Sequence, residues 1–127
     1  MGMFKVRVTL QNPLDPSRSF EEDFWVDSGA VYSFVPEDKL NEIGLQPIRS
    51  RELVLADGRP AQRLLGEARM TVADLGETLT CPVVFGPPGS LYLLGATALE
   101  IFGVDVDPIA HRLKPNSAVI GAFVASR

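Results

Sequence analysis

At 127 residues, 46% hydrophobic and 22% charged, the chain has the size and composition of one globular domain, 1–127, with a core of its own. A net charge of −4 with no basic stripe argues against nucleic acid as a partner. The single cysteine, Cys81, excludes an internal disulfide and fits a reducing compartment; with no signal-peptide core and no membrane-length apolar run, a soluble cytoplasmic protein is expected.

Ten prolines and eleven glycines favour turns over long helices. Phe4 to Leu10 alternates apolar and polar residues, the period of a strand. Asn12-Pro13 and Asp15-Pro16 break the chain in a turn. Phe20 to Val26 is expected to return as the second arm of a hairpin, with Phe20, Phe24 and Val26 on one face. Val31 to Val35, β-branched and aromatic, predicts a further short strand. Pro36 to Gly44 predicts a short helix, with proline and acids in its first turn and glycine at its end. Leu53 to Ala56, then Asp57-Gly58, predicts a hairpin whose second arm runs through Gly66 to Val72. Strands are expected at Thr78 to Phe85 and Leu91 to Leu94, and a short helix at Ala96 to Phe102 closed by Gly103. Val104 to Val106, Arg112 to Lys114 and Ala118 to Val124 read as short extended pieces. Many short strands with two short helices predict an all-β barrel.

The most informative segment is Asp27-Ser28-Gly29-Ala30, which follows the apolar run Phe24-Trp25-Val26. A carboxylate at the end of a hydrophobic strand is costly to desolvate and is kept where chemistry or a hydrogen-bond network holds it. The small residues after it let the backbone turn sharply and let another group approach. Alone, Asp27 reads better as a turn residue capping the backbone after a strand than as a catalytic group. Two further landmarks follow in order: the hairpin at Ala56-Asp57-Gly58-Arg59, and Leu93-Leu94-Gly95 ahead of a short helix.

Together these residues resemble the retropepsin-like aspartic proteases, and more narrowly the small single-domain members found in bacteria and archaea. The resemblance runs from about Phe4 through Leu113. It implies a closed acid-protease barrel with one or two short helices and one lobe per chain. It further implies a homodimeric endopeptidase, because the chain carries a single Asp-Ser-Gly loop and catalysis needs two carboxylates about one water. By this resemblance Asp27 is catalytic, Ser28 braces the loops across the dimer axis, and Gly29 and Ala30 support the active loop. Ala56, Asp57, Gly58 and Arg59 then belong to a flap over a peptide or protein substrate, and Leu93, Leu94 and Gly95 pack behind the loop. No metal or organic cofactor is implied. The N-terminal strand and Ala118 to Val124 are the expected dimer surfaces. Retroviral members carry an Asp after the loop and an Arg after the apolar-apolar-Gly signature; Val31 and Ala96 stand here instead, so no unpaired charge remains.

The other chemistry-bearing residues read plainly. His111, the only histidine, is expected in a surface turn, and no nucleophile-elbow motif accompanies it. Cys81 reads as a small buried hydrophobe. Asp105 and Asp107 read as solvated, Glu21-Glu22-Asp23 as a hairpin edge, and Gly86-Pro87-Pro88-Gly89 as a rigid turn rather than a phosphate loop. Two rival functions stand beside the endopeptidase: a dimeric peptide-binding module with little or no turnover, and an assembly domain docking through its C-terminal strand.

Overall fold

Alternation decides the first strand. In β1 (Lys5–Asn12), Val6, Val8, Leu10 and Asn12 are buried while Lys5 and Arg7 are exposed, so one face meets the core and the other meets water. In the computed structural model, residues 3–116 are described. β2 (Asp15–Val26) returns antiparallel to β1, pairing Lys5 with Trp25 and Leu10 with Phe20. This strand starts earlier than the sequence predicts, because the turn is confined to Pro13 and Leu14. The buried Asn12 fixes that turn: its side-chain amide donates to Ile43 O (2.9 Å) and its carbonyl accepts from Leu14 N (2.8 Å). Pro16 sits on the exposed part of β2, where a strand tolerates a missing donor.

Next come β3 (Ser33–Pro36), α1 (Glu37–Glu42), β4 (Arg49–Val54), β5 (Pro60–Val72), β6 (Glu77–Gly86), β7 (Leu93–Leu94), α2 (Ala96–Phe102), β8 (Val104–Asp107) and β9 (Arg112–Pro115). The protein is mostly β, as expected, with two short helices among the described residues. Seven strands form one sheet in the order β1-β2-β7-β3-β6-β5-β4, and β1 also pairs with β5, from Val8↔Val72 to Gln11↔Arg69. β8 and β9 form a separate hairpin.

Besides β2, three predicted strands shift. Val31 is 62% exposed and Leu91 59% exposed, so β3 and β7 begin later than their apolar runs do. The hairpin tip takes Leu55 and Ala56 out of β4, because Leu55 N donates to Arg59 O (2.8 Å) and Gly58 turns at φ +85°. The predicted strand from Ala118 to Val124 lies outside the described residues.

The core gathers Val8, Leu10, Phe24, Val35, Leu40, Met70, Val72, Val83 and Leu94, all fully or almost fully buried. Cys81 is buried among them. His111 lies exposed in the β8–β9 turn at φ +54°, its ring stacked on Phe4 at 5.8 Å. Asp107 caps the same turn. Its Oδ1 accepts from Ile109 N and Ala110 N, and those bonds hold its carboxyl below the usual carboxylate range.

Candidate functional site

The two residues of β7 build the site. β7 lies between β2 and β3, parallel to β2 (Trp25↔Leu93, Val26↔Leu94) and antiparallel to β3 (Phe34↔Leu93). This puts Gly95 directly behind the turn that leaves β2. Asp27 N donates to Leu94 O at 2.9 Å, so Asp27 stands where β2 ends. The turn then folds back on itself: Gly29 N donates to Asp27 Oδ1 (3.0 Å) and Ala30 N to Asp27 O (3.2 Å).

The first turn of α2 clamps the far side of this loop. Ala96 N donates to Ala30 O at 2.7 Å and Thr97 N to Val31 O at 2.9 Å. Two helix-start donors that lack an intrahelical partner are thereby satisfied, and two loop carbonyls with them. Gly95 N donates to the buried Ser33 Oγ (3.1 Å). A Cβ at Gly95 would stand 2.4 Å from Tyr32 O and 2.9 Å from Ala30 O, so the approach of backbone to backbone requires glycine here. A Cβ at Gly29 would stand 3.3 Å from Asp27 Oδ1, crowding the carboxylate.

Asp27 is half-buried and opens on a cleft of about 550 Å³ between its loop and the β4–β5 hairpin. Ala30, Tyr32, Phe34 and Leu93 line one side, and residues 51–56 line the other. Arg51 crosses the cleft and lies over the Tyr32 ring, 5.8 Å from its centre. Ser28 is exposed and points to a second hollow of about 390 Å³, bounded by Met3, Val106 and Pro108, on the other flank of Asp27.

The residues singled out from sequence thus fall into three places. Asp27, Gly29, Ala30, Leu93, Leu94 and Gly95 come together at the loop. Ser28 faces the outer flank. Of the hairpin residues, Ala56 borders the cleft, while Asp57, Gly58 and Arg59 form an exposed tip beyond it. That tip is internally tied: Asp57 Oδ1 accepts from Arg59 N (3.0 Å) and Asp57 Oδ2 from Arg59 Nε (2.6 Å). Sequence reasoning missed Ser33, Tyr32, Phe34 and Arg51. Ser33 had a usable signal, since a hydroxyl between two aromatic residues in a strand needs a partner inside the protein.

Among the described residues, no group of three or more His, Cys, Asp or Glu side chains comes together as a metal site. No helix among them is long and apolar enough to cross a membrane.

No family model matches the chain, and no curated protein matches it. Among solved structures, the foamy viral protease-reverse transcriptase in complex with an RNA/DNA hybrid is similar, with a TM-score of 0.54 and 13% sequence identity. The match covers 95% of this chain and 14% of the viral chain. At that identity the likeness is one of fold: nearly the whole of this chain shares its architecture with a small part of a viral protein that includes a protease.

Proposed function

We propose that this protein is a retropepsin-like aspartic endopeptidase, cytoplasmic and active as a homodimer. The observation that carries the reading is the position of Asp27. It sits at the end of β2, on a loop clamped by Gly95 and α2, and faces a cleft roofed by a hairpin. The pairing of β1 with both β2 and β5 supports closure of the sheet into the acid-protease barrel. The fold likeness to the protease-containing viral chain supports it further.

One chain supplies one such aspartate, so the second comes from a second copy. Two Asp27 carboxylates about one water cannot both ionise, and they share a proton. The ionised member takes a proton from the water as it attacks the peptide carbonyl, and the protonated member polarises the carbonyl oxygen. Gly29 N, already bonded to Oδ1, holds the carboxylate in orientation. Ser28 is exposed on the outer flank, and in this reading it braces the partner loop. The substrate lies extended in the cleft as an added strand beneath the hairpin, Ala56 to Arg59 forming the tip of the flap. The reaction draws on carboxylates and water alone.

Asp27→Asn tests the reading. The expected result is loss of peptide cleavage with fold and self-association unchanged. Full activity in the variant would overturn the mechanism. Binding of pepstatin that depends on Asp27, without turnover, would move the protein to the peptide-binding module.

A further inference from the structure

The β4–β5 hairpin gathers three arginines on one sheet face, and one of them, Arg51, borders the cleft. Its register sets Arg49 opposite Leu65, Arg51 opposite Arg63 and Leu53 opposite Ala61. The two-residue period of a strand puts all six on one face, the one that carries buried Leu65 and half-buried Leu53 and Ala61. Arg51 borders the main cleft over Tyr32, and Arg49 borders an adjoining hollow of about 340 Å³ that shares Tyr32.

This arrangement costs the free protein. Like charges directly opposite across an antiparallel pair are destabilising. Ion pairs within 4.0 Å among the described residues involve Arg7, Lys39 and Arg59, and none of these three arginines. Glu52 borders the cleft from the opposite face of β4, and Glu67 borders the adjoining hollow, both beyond ion-pair distance of the arginines. In a chain of net charge −4, Arg51 on the cleft wall, with Arg63 opposite it and Arg49 two residues before it on the same sheet face, none of them ion-paired among the described residues, is a local reversal of sign.

We infer that Arg51 at the cleft, reinforced by Arg63 across the strand pair and Arg49 beside it, forms a specificity subsite for acidic side chains of the bound peptide. The inference deepens the proposed function and rests on that reading. Guanidinium groups take carboxylates in a planar, two-pronged geometry. The cleft beside them is apolar, with Phe34, Leu53, Leu55 and Leu93. The occupant it fits is an extended peptide with apolar residues near Asp27 and acidic residues toward the arginine wall. A polyanion such as nucleic acid is disfavoured by the net negative charge of the whole chain.

The test uses the full-length Asp27→Asn protein at neutral pH. Three fluorescent peptides share one apolar centre and are flanked by Glu, Gln or Lys; their binding is read by anisotropy. The Glu peptide is expected to bind tighter than the Gln peptide, by up to about fivefold for each carboxylate engaged, with a gap that narrows as salt is added. Arg51→Gln and Arg63→Gln on the same background should close the gap without lowering thermal stability, since they relieve a like-charge opposition. Arg51→Lys should keep most of it. Equal binding of the three peptides, or tighter binding of a single-stranded oligonucleotide, would overturn the inference. Wild-type protein that cleaves Gln and Glu peptides equally would sink the subsite and leave Asp27 catalysis standing. Glu-selective binding with no cleavage by wild type would do the reverse.

Discussion

Gly95 has no room for a side chain, and this one residue ties the loop of Asp27 to the helix behind it. The clash of a methyl group falls on the backbone of Tyr32 and Ala30, which cannot swing away as a flexible side chain would. Gly95→Ala should therefore cost about 3 kcal/mol, at the upper end of overpacking effects, read by urea unfolding; a loss below about 1 kcal/mol would show that the loop yields more readily than this packing implies. Cys81 answers to burial instead. Burial pushes its thiol up from 9.0 to about 11, so the folded protein keeps a proton that the unfolded chain gives up. Its contribution to stability is present below pH 9.0 and declines as pH rises from there to about 11. Native protein should resist iodoacetamide at pH 8 and react once unfolded, and Cys81→Ala should flatten the alkaline fall of stability; rapid native alkylation would contradict the burial. At this scale the sequence shows Asp27 and Gly95, whose types are unusual for their surroundings. It hides Tyr32 and Arg51, which are ordinary residues that only the fold brings together at the cleft.

Elements were legible where local pattern and tertiary environment agree. The alternation of β1, the helix-start acids of α1, and the Asp-Gly tip between β4 and β5 each appear in the structure near the expected residues. They were less legible where an apolar run is shared between strand and loop. Leu91 looks like strand and is 59% exposed, because strand pairing begins only at Leu93, which pairs with Trp25 and Phe34, and continues at Leu94, which pairs with Val26. The hairpin tip is stabilised locally, by the double contact of Asp57 with Arg59. Both side chains are well exposed, so the pair contributes under about 1 kcal/mol. Asp57→Ala should leave the unfolding midpoint almost unchanged and speed amide exchange at Gly58 and Arg59. A large loss of global stability would show that the tip is more than a local turn.

The order of strands in the whole molecule is the part least visible in the chain. Nothing in the composition of Leu93-Leu94 places it between β2 and β3, and nothing in β1 announces its second pairing with β5. These are long-range pairings, set by the mutual fit of faces rather than by local propensity. The resemblance implied only that Leu93, Leu94 and Gly95 pack behind the Asp27 loop; the strand order itself comes from the structure. The site follows from it, since the crossover through β7 sets the Asp27 loop against the start of α2 and opens it toward the hairpin.

The central claim is that one catalytic centre is made from two copies of Asp27. The most direct measurement mixes wild type with Asp27→Asn at fixed total concentration and follows cleavage of a peptide substrate after the subunits exchange. With half the chains substituted, a dyad shared across a two-fold axis leaves about one quarter of the pairs intact, and the rate should fall to about one quarter. A fall to about one half would mean that each chain acts alone, and would contradict the shared dyad.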